Sequence, residues 1–98
     1  MNDRARQFAE LDRVIHEPWR LMITALLSAV ERADFLYLQH ETQMNKGTLS
    51  SHLSKLEEVG YVEITKTFRG KVPQTLLRLS DTGRRAFEEY RRILKSVL

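Results

Sequence analysis

The stretch LQHETQMNKGTLSSHLSKLEEVG, residues 38–60, decides the fold of this chain, because its pattern is typical of two short helices joined by a tight turn. Leu49, Leu53 and Leu56 recur at helical spacing, so the second helix buries one face. Asn45 is a favourable N-cap, since its side-chain oxygen can accept a free amide of the first turn. Gly60 is placed to end the helix in a left-handed conformation. The sequence therefore predicts a helix between Asn45 and Gly60 that packs on a core along one side.

The outer face of this helix carries small and hydroxyl-bearing side chains. At 100° per residue, the positions opposite the leucines are Gly47, Ser51, Ser54 and Glu58, flanked by Ser50 and Lys55. A face with so little steric bulk fits the shape of a DNA major groove, with its N-terminal turn nearest the bases and phosphates.

The first turns of the helix hold the side chains that we expect to contact DNA. Thr48 and Ser51 are predicted to lie at base edges. The residues predicted on phosphates or base edges are Asn45, Lys46, Ser50 and Lys55. Gly47 lowers helix propensity by roughly 1 kcal/mol relative to alanine. We interpret it as room for the phosphodiester backbone or a base edge; the alternative is that glycine is tolerated near a helix end.

The composition excludes several classes of protein. Ninety-eight residues suffice for one domain, 1–98, with a single modest core. The chain is 42% hydrophobic and 30% charged, which is typical of a globular protein, and it contains no run of about eighteen apolar residues that would predict a membrane span. Residues 1–12 lack the apolar centre of a signal peptide, so we expect a cytoplasmic protein. The absence of cysteine removes disulfides, thiolate chemistry and cysteine-bound zinc.

The net charge of +3 is distributed unevenly along the chain. Residues 1–43 carry five Lys/Arg against seven Asp/Glu, a net of −2. Residues 44–79 carry six against three, a net of +3, and residues 80–98 carry five against three, a net of +2. Positive charge therefore accompanies the outer helix and the segments after it, as a polyanion-binding surface requires. The alternative is ordinary scatter on a solvated surface.

Two apolar segments precede the helix-turn-helix stretch, which we place at residues 36–60. Residues 1–16 form a polar N-terminal arm or helix with apolar residues at Phe8, Leu11, Val14 and Ile15. Such a stripe is expected to pack on another chain or on the C-terminal helix. Pro18 suits the first turn of a new helix. From residue 19 to 30 apolar residues cover most of the circumference, which predicts a central helix buried on more than one side.

Residues 61–79 are predicted to form a two-stranded wing. Val62 and Ile64 alternate with polar residues, and a second β-rich run covers 75–79. A loop over 68–73, with a glycine and a proline, joins the two strands into a hairpin. Arg69 and Lys71 at its tip are expected to reach the DNA backbone or minor groove beside the helix. The alternative is that they keep an exposed edge soluble.

Residues 80–98 are predicted to form a long C-terminal helix. Ser80 caps it, and Asp81 interacts favourably with the helix dipole. An apolar stripe at helical spacing suits packing along another helix. We expect dimerisation through this helix, helped by the N-terminal arm, with the interface residues Phe8, Leu11, Phe87, Tyr90, Leu94 and Val97. The alternative is that the stripe folds back on the chain's own first helix.

Residue patterns that would indicate catalysis or metal binding are lacking. His16, His40 and His52 are the only histidines. His52 at the edge of the leucine face favours a partly buried side chain bonded to a backbone group over a ligand. No glycine-rich phosphate loop, catalytic triad or H-E-x-x-H pattern occurs, so we expect no enzyme, no metal and no cofactor. The Arg84-Arg85 pair favours a solvated helix face, with contact to flanking phosphates as the alternative.

The order helix, helix, turn, helix, wing, helix resembles the winged helix-turn-helix transcription regulators, in particular single-domain members of the MarR/ArsR-like group. The resemblance covers roughly residues 14–95. Its most specific parts are Leu-Ser-x-His-Leu at 49–53, Leu-Glu-x-x-Gly-Tyr at 56–61, and KVPQTLLRLSDTG at 71–83. It implies a homodimer, DNA binding through the helix from Asn45, phosphate contacts from Arg69 and Lys71, and regulation of nearby genes. The outer helix face has neither arginine nor glutamine, so it lacks the side chains that recognise guanine and adenine most strongly through two hydrogen bonds.

The expected fold is therefore α+β, mostly α, a winged helix-turn-helix with a two-stranded wing and a long C-terminal helix. The expected function is sequence-specific regulation of transcription by a homodimer that binds double-stranded DNA, with preference resting on hydroxyl contacts, the wing and DNA shape. A protein–protein interaction module without specific DNA binding is the alternative. A small apolar effector between the first helix, the last helix and the second subunit is a further hypothesis, and no membrane is expected as a partner.

Overall fold

The computed structural model describes residues 2–98. Five helices and three strands succeed one another in the order α1 (Asp3–Ala9), α2 (Pro18–Ser28), β1 (Ala33–Asp34), α3 (Phe35–Thr42), α4 (Lys46–Glu58), β2 (Val62–Arg69), β3 (Val72–Leu79) and α5 (Asp81–Val97). This is the predicted mostly helical winged fold. Among these residues, no helix is both long enough and apolar enough to cross a membrane.

The helix-turn-helix consists of α3 and α4. Gln43 takes a left-handed conformation, φ 59°, which ends α3 and turns the chain sharply. Asn45 then caps α4 by accepting a hydrogen bond from the Thr48 amide at 2.8 Å. Gly60 comes after α4 with φ +80°, a conformation that favours glycine. Both predicted ends of the helix are confirmed.

A first core lies between this pair of helices, α2 and the sheet. Its buried residues are Ile23, Leu27, Leu38, Met44, Leu49, Leu53, Leu56, Val62, Leu77 and Leu79. α2 contacts α3, α4, β3 and α5, with Ile23 and Leu27 in this core and Leu21 packed on a second one, so it is covered on more than one side as predicted. One face of the helix stays open, since Trp19 is 45% and Met22 37% exposed.

The sheet has the strand order β1-β3-β2, all antiparallel. Pairing continues to Arg69 opposite Val72, so the turn has two residues, Gly70 and Lys71, and not the six predicted. Gly70 has φ +66°, as a tight hairpin turn requires. Pro73 stays within β3 because β1 pairs with β3 only at positions 76 and 77, which leaves the outer edge open beside the proline.

A second core joins the N-terminus to α5. We call residues 10–17, between α1 and α2, the N-terminal strap. Leu11 and Ile15 of the strap are buried against a stripe of α5 formed by Phe87, Tyr90 and Ile93. The strap is also held by polar contacts, since His16 Nδ1 lies 2.7 Å from the Tyr90 hydroxyl. The stripe on α5 is thus covered by its own chain, the alternative that the sequence left open.

Candidate nucleic-acid interface

The N-terminal turns of α4 project a small, polar and exposed surface. Of the residues predicted to touch DNA from this helix, Ser50 is half-buried and the others are exposed: Asn45, Lys46, Gly47, Thr48, Ser51 and Lys55. The three leucines on the opposite side are at most 2% exposed, so they fix the rotation of the helix about its axis. The hydroxyls and amines therefore lie on the solvent side of the helix but over a wide arc, since Lys46 and Lys55 point to opposite edges of it.

Gly47 is not required by packing inside the protein. A Cβ built at this position would meet a single side-chain atom, Asn45 Oδ1, at 3.6 Å, an ordinary van der Waals contact. The backbone there is helical, so no left-handed conformation calls for glycine. The open space lies on the outer side of the helix, where an external ligand would approach.

A groove of about 1190 Å³ separates α4 from the wing and the start of α3. Its walls include Lys46, Ser50, Ser54 and Glu57 of α4, and Lys66, Arg69, Gln74 and Thr75 of the wing. Asp34 and Gln39 close the side formed by β1 and α3. The groove places the polar side of the helix opposite the cations of the wing.

Three wing cations make no ion pair within residues 2–98: Lys66, Arg69 and Lys71. Arg78 differs, because its guanidinium lies 3.0 Å from Glu63 and 3.6 Å from Asp81. The unpaired cations occupy the distal half of the hairpin, where no acidic residue stands between Glu63 and Asp81. This half of the wing therefore presents uncompensated positive charge to solvent.

Lys66 was missed by the sequence reasoning, although it lines the groove. The two-residue repeat of β2 would have identified it, because Val62, Ile64 and Lys66 lie on one face of the strand and Val62 on that face is buried. A cation on the strand face that turns towards the helix belongs to the groove. Thr75, its partner across the hairpin, lines the groove as well.

A polar cluster supports α4 from behind. His52 Nδ1 lies 3.2 Å from Arg20 Nη1 and 3.7 Å from Glu17 Oε2, so the prediction of a backbone partner for His52 is wrong. Arg20 also donates through Nε to the Val14 carbonyl at 2.6 Å. Burial raises the pKa of Glu17, but hydrogen bonds from the Arg20 and Trp19 amides, with the nearby His52 and Arg20, lower it overall. The first residues of α2 thereby bridge α4 and the N-terminal strap.

A second polar joint ties the strap to the root of the wing. Tyr61 donates its hydroxyl to Asp12 Oδ2 at 2.5 Å. This hydrogen bond, then burial and the carboxylate charge, raise the pKa of Tyr61 to about 12. The Tyr61 carbonyl accepts from the Ser80 amide at 2.9 Å, which connects the same residue to the start of α5.

The predicted dimerisation residues divide into two groups. Four of them are buried within the chain: Leu11, Phe87, Tyr90 and Val97. Phe8 is 41% exposed and Leu94 half-buried, so they keep surface for a second chain. Leu98, at the end of α5, is 87% exposed.

Arg84 does not belong to a solvated face, contrary to expectation. Its guanidinium donates to the carbonyls of Val30 at 2.9 Å and Ser28 at 3.3 Å, where α2 ends. It therefore satisfies carbonyls at a helix C-terminus. Across residues 2–98 no three His, Asp or Glu side chains group to hold a metal ion.

Comparison with known proteins identifies the fold. The winged helix DNA-binding domain family matches residues 19–98. An uncharacterized protein of Methanocaldococcus jannaschii is 37% identical over 79 residues, covering 80% of this chain and 85% of the relative. A transcriptional regulator homologue from Pyrococcus horikoshii superposes with a TM-score of 0.88 at 25% identity, over 98% of this chain and 94% of the other.

Two further solved structures share the architecture. The transcriptional repressor BigR from Xylella fastidiosa has a TM-score of 0.63 at 25% identity, covering 95% of this chain and 89% of its own. NadR, solved in complex with 4-hydroxyphenylacetate, has a TM-score of 0.71 at 20% identity, over 95% of this chain and 68% of NadR. At this identity the likeness concerns the fold alone. The resemblance to winged helix-turn-helix regulators is confirmed, since the Pyrococcus horikoshii protein is a transcriptional regulator homologue and BigR a transcriptional repressor, and neither is an enzyme. The chain belongs to the winged helix DNA-binding domain family and is a DNA-binding regulator.

Proposed function

We propose that the protein is a homodimeric, sequence-specific transcription regulator that places α4 in the DNA major groove and the wing on the flanking backbone or minor groove. One observation carries the proposal: Lys46 and Ser50 of α4 line a single groove together with Lys66 and Arg69, two wing cations that make no ion pair within residues 2–98. The other residues predicted to touch DNA are exposed outside this groove: Asn45, Gly47, Thr48, Ser51, Lys55 and Lys71. A cylinder of negative charge lying across α4 and the wing would meet hydroxyls, amines and guanidinium groups at once.

The proposed contacts derive from the rotation of α4. Thr48 and Ser51 point away from the core and are assigned to base edges. Asn45, Lys46, Ser50 and Lys55 are assigned to phosphates or base edges. Arg69 and Lys71 are assigned to the backbone beside the wing, and Lys66 joins them.

The proposed dimer uses the outer side of α1 and α5. Phe8 and Leu94 keep accessible apolar surface, and Leu98 adds to it at the chain end. A two-fold axis near this surface would set two copies of α4 on successive major grooves, about 34 Å apart. The buried stripe residues would then support the interface from within.

Sedimentation equilibrium tests the dimer directly. The wild type is expected at twice the chain mass of 11.5 kDa. The double substitution of Phe8 and Leu94 by glutamate should give the single-chain mass, while the matched control Val59→Glu, on a residue 43% exposed at the end of α4, should not. A monomeric wild type would contradict this part of the proposal.

Salt-dependent fluorescence anisotropy tests the DNA contacts. Lys46→Ala and Lys71→Ala should each reduce the slope of log affinity against log salt by about one, because each removes one phosphate contact. The matched control is Arg13→Ala in the N-terminal strap, an exposed cation outside the proposed DNA contacts and the proposed dimer surface, which should leave the slope unchanged. Unchanged slopes for Lys46→Ala and Lys71→Ala would show that the assigned contacts are wrong.

The same assay separates a regulator from an interaction module. A labelled duplex from the DNA upstream of this protein's own gene is compared with a random duplex of equal length. Preference for the upstream duplex supports a sequence-specific regulator of its own gene, and equal, salt-sensitive binding places the site elsewhere. No binding to either duplex at low salt would favour the protein-interaction module.

A small apolar effector is also part of the proposal. NadR was solved with 4-hydroxyphenylacetate, which is a property of that protein. In this chain the residues to follow are Trp19, exposed on α2, and Tyr90, buried on α5. Chemical shift changes at these two residues on adding aromatic acids would support the idea, and undisturbed signals would count against it.

A further inference from the structure

The tip of the wing combines apolar surface with positive charge. Phe68 is 67% and Val72 66% exposed, and Pro73 is exposed as well. Phe68 faces Pro73 across the hairpin, one pair before the turn. Within the described residues 2–98, the neighbouring Arg69 and Lys71 form no ion pair.

Phe68 lies on β2, an edge strand of the sheet, with its ring exposed. A single exposed apolar residue is common on protein surfaces and needs no explanation. Here, however, Phe68 and Pro73 form a cross-strand pair on one face of the hairpin, Val72 lies opposite Arg69 on the other face, and the distal half of the hairpin carries cations and no acidic residue. Charge complementarity selects a polyanion as the occupant.

The minor groove is the part of DNA that this combination fits. Proteins that bind the minor groove use cations to follow its potential and apolar wedges, phenylalanine and proline among them, to open base steps. The wing stands across a groove from α4, which is assigned to the major groove. The next surface along the duplex beside an occupied major groove is the adjoining minor groove.

We propose that Phe68, backed by Pro73, inserts into the minor groove flanking the site of α4 and determines sequence preference there by reading how easily base steps unstack. The proposal rests on the proposed DNA-binding function. It supplies a source of specificity that α4 lacks, because the outer face of α4 has no arginine and no glutamine. Pyrimidine–purine steps unstack most readily and are the expected preference.

Parallel enrichment from a library of random 40-bp duplexes tests the proposal. The wild type should enrich a central element flanked by pyrimidine–purine steps, and Phe68→Ala should enrich the same centre without the flanking preference. On the best wild-type duplex, Phe68→Ala should bind about tenfold more weakly, the scale expected for a large, partly buried apolar side chain. Its salt slope should equal that of the wild type, since no cation is removed.

Companion variants separate insertion from other effects. Phe68→Leu should stay within about threefold of the wild type, because leucine can also act as a wedge. Arg69→Ala should lower the salt slope by about one, which Phe68→Ala should not. Met22→Ala, an exposed apolar residue on α2, is the matched control and should bind as the wild type does.

Two results would overturn the inference while leaving the proposed function standing: wild-type affinity and flanking preference in Phe68→Ala, or a salt slope that falls with the affinity. The second result would mean that Phe68 only positions Arg69. A wild type that binds no duplex would overturn both proposals. Circular dichroism should show equal melting temperatures for the wild type and Phe68→Ala, because the ring is two-thirds exposed.

Discussion

Replacing Gly47 by alanine separates the stability of the protein from its binding to DNA. A Cβ at this position meets only Asn45 Oδ1 at 3.6 Å, so the folded protein has room for it. Alanine is favoured over glycine within a helix by roughly 1 kcal/mol, an upper bound here because Gly47 is the second residue of α4. The free energy of unfolding should therefore stay equal or rise by up to about 1 kcal/mol, and the melting temperature by up to about 4–8 °C.

The same methyl group should weaken DNA binding, because it fills space through which the duplex approaches the helix backbone. We expect a loss of at least about tenfold in affinity, equivalent to about 1.4 kcal/mol. Thermal unfolding followed by circular dichroism measures the first effect, and anisotropy on the wild-type duplex measures the second. A variant that is as stable as the wild type and binds DNA equally well would refute the role given to Gly47. A variant destabilised by more than about 1 kcal/mol would refute the packing argument.

Three further substitutions test the framework behind the interface. Gly83→Ala should destabilise the protein by about 1–3 kcal/mol or more and lower its melting temperature, because the new Cβ would lie 2.2 Å from the Tyr61 carbonyl oxygen; an unchanged melting temperature would contradict this packing. Tyr61→Phe should cost about 1–2 kcal/mol by leaving Asp12 without its phenol. Because the folded pKa of Tyr61 is raised from 10.0 to about 12, its hydrogen bond stabilises the protein below pH 10 and is lost as pH rises towards 12. Urea unfolding at pH 8 and 11 should therefore show a smaller alkaline loss in the variant than in the wild type; equal losses would argue against it. Glu17→Gln should flatten the acid side of the profile, because a lowered pKa makes Glu17 stabilising above its usual value of 4.5 and that contribution disappears as pH falls through the folded pKa. Melting temperatures measured from pH 7 to 3 check this, and parallel acid curves for the two proteins would disprove it.

Local signals in the sequence predicted most of the elements. Capping by Asn45 and Ser80, the left-handed Gly60 and the spacing of the leucines each depend on neighbours within about one helical turn, so they can be read from the chain directly. The exposure of the α4 residues was predicted from the same periodicity. The wing turn was misjudged because Gly70 and Pro73 both suggested a loop, whereas only Gly70 bends the chain.

Contacts between distant parts of the chain were beyond such reasoning. Arg20 and His52 are 32 residues apart, and Arg84 and Val30 are 54 apart, so no local sequence pattern predicts these contacts. Each of these side chains ends in a polar group with several possible partners. The choice among them depends on how the helices pack, which the sequence does not display. For the same reason, the sequence left two partners open for the apolar residues of the N-terminal arm, another chain or the C-terminal helix, and the structure shows the second.

The joint at Tyr61 explains why the helix and the wing can act as one reading surface. Residues 60 and 61 connect α4 to β2 and contact the start of α5. The Gly60 carbonyl accepts from Ser80 Oγ at 2.5 Å, and the Tyr61 carbonyl accepts from the Ser80 amide at 2.9 Å. Gly83 then packs directly on the Tyr61 backbone, which only a residue without a side chain permits. Because these bonds fix the direction in which the wing leaves α4, little conformational entropy would be lost if both elements dock on DNA as proposed. In the proposed complex, a helix face without arginine or glutamine would depend on this rigidity, since its preference for a sequence would follow from where the wing lies along the duplex.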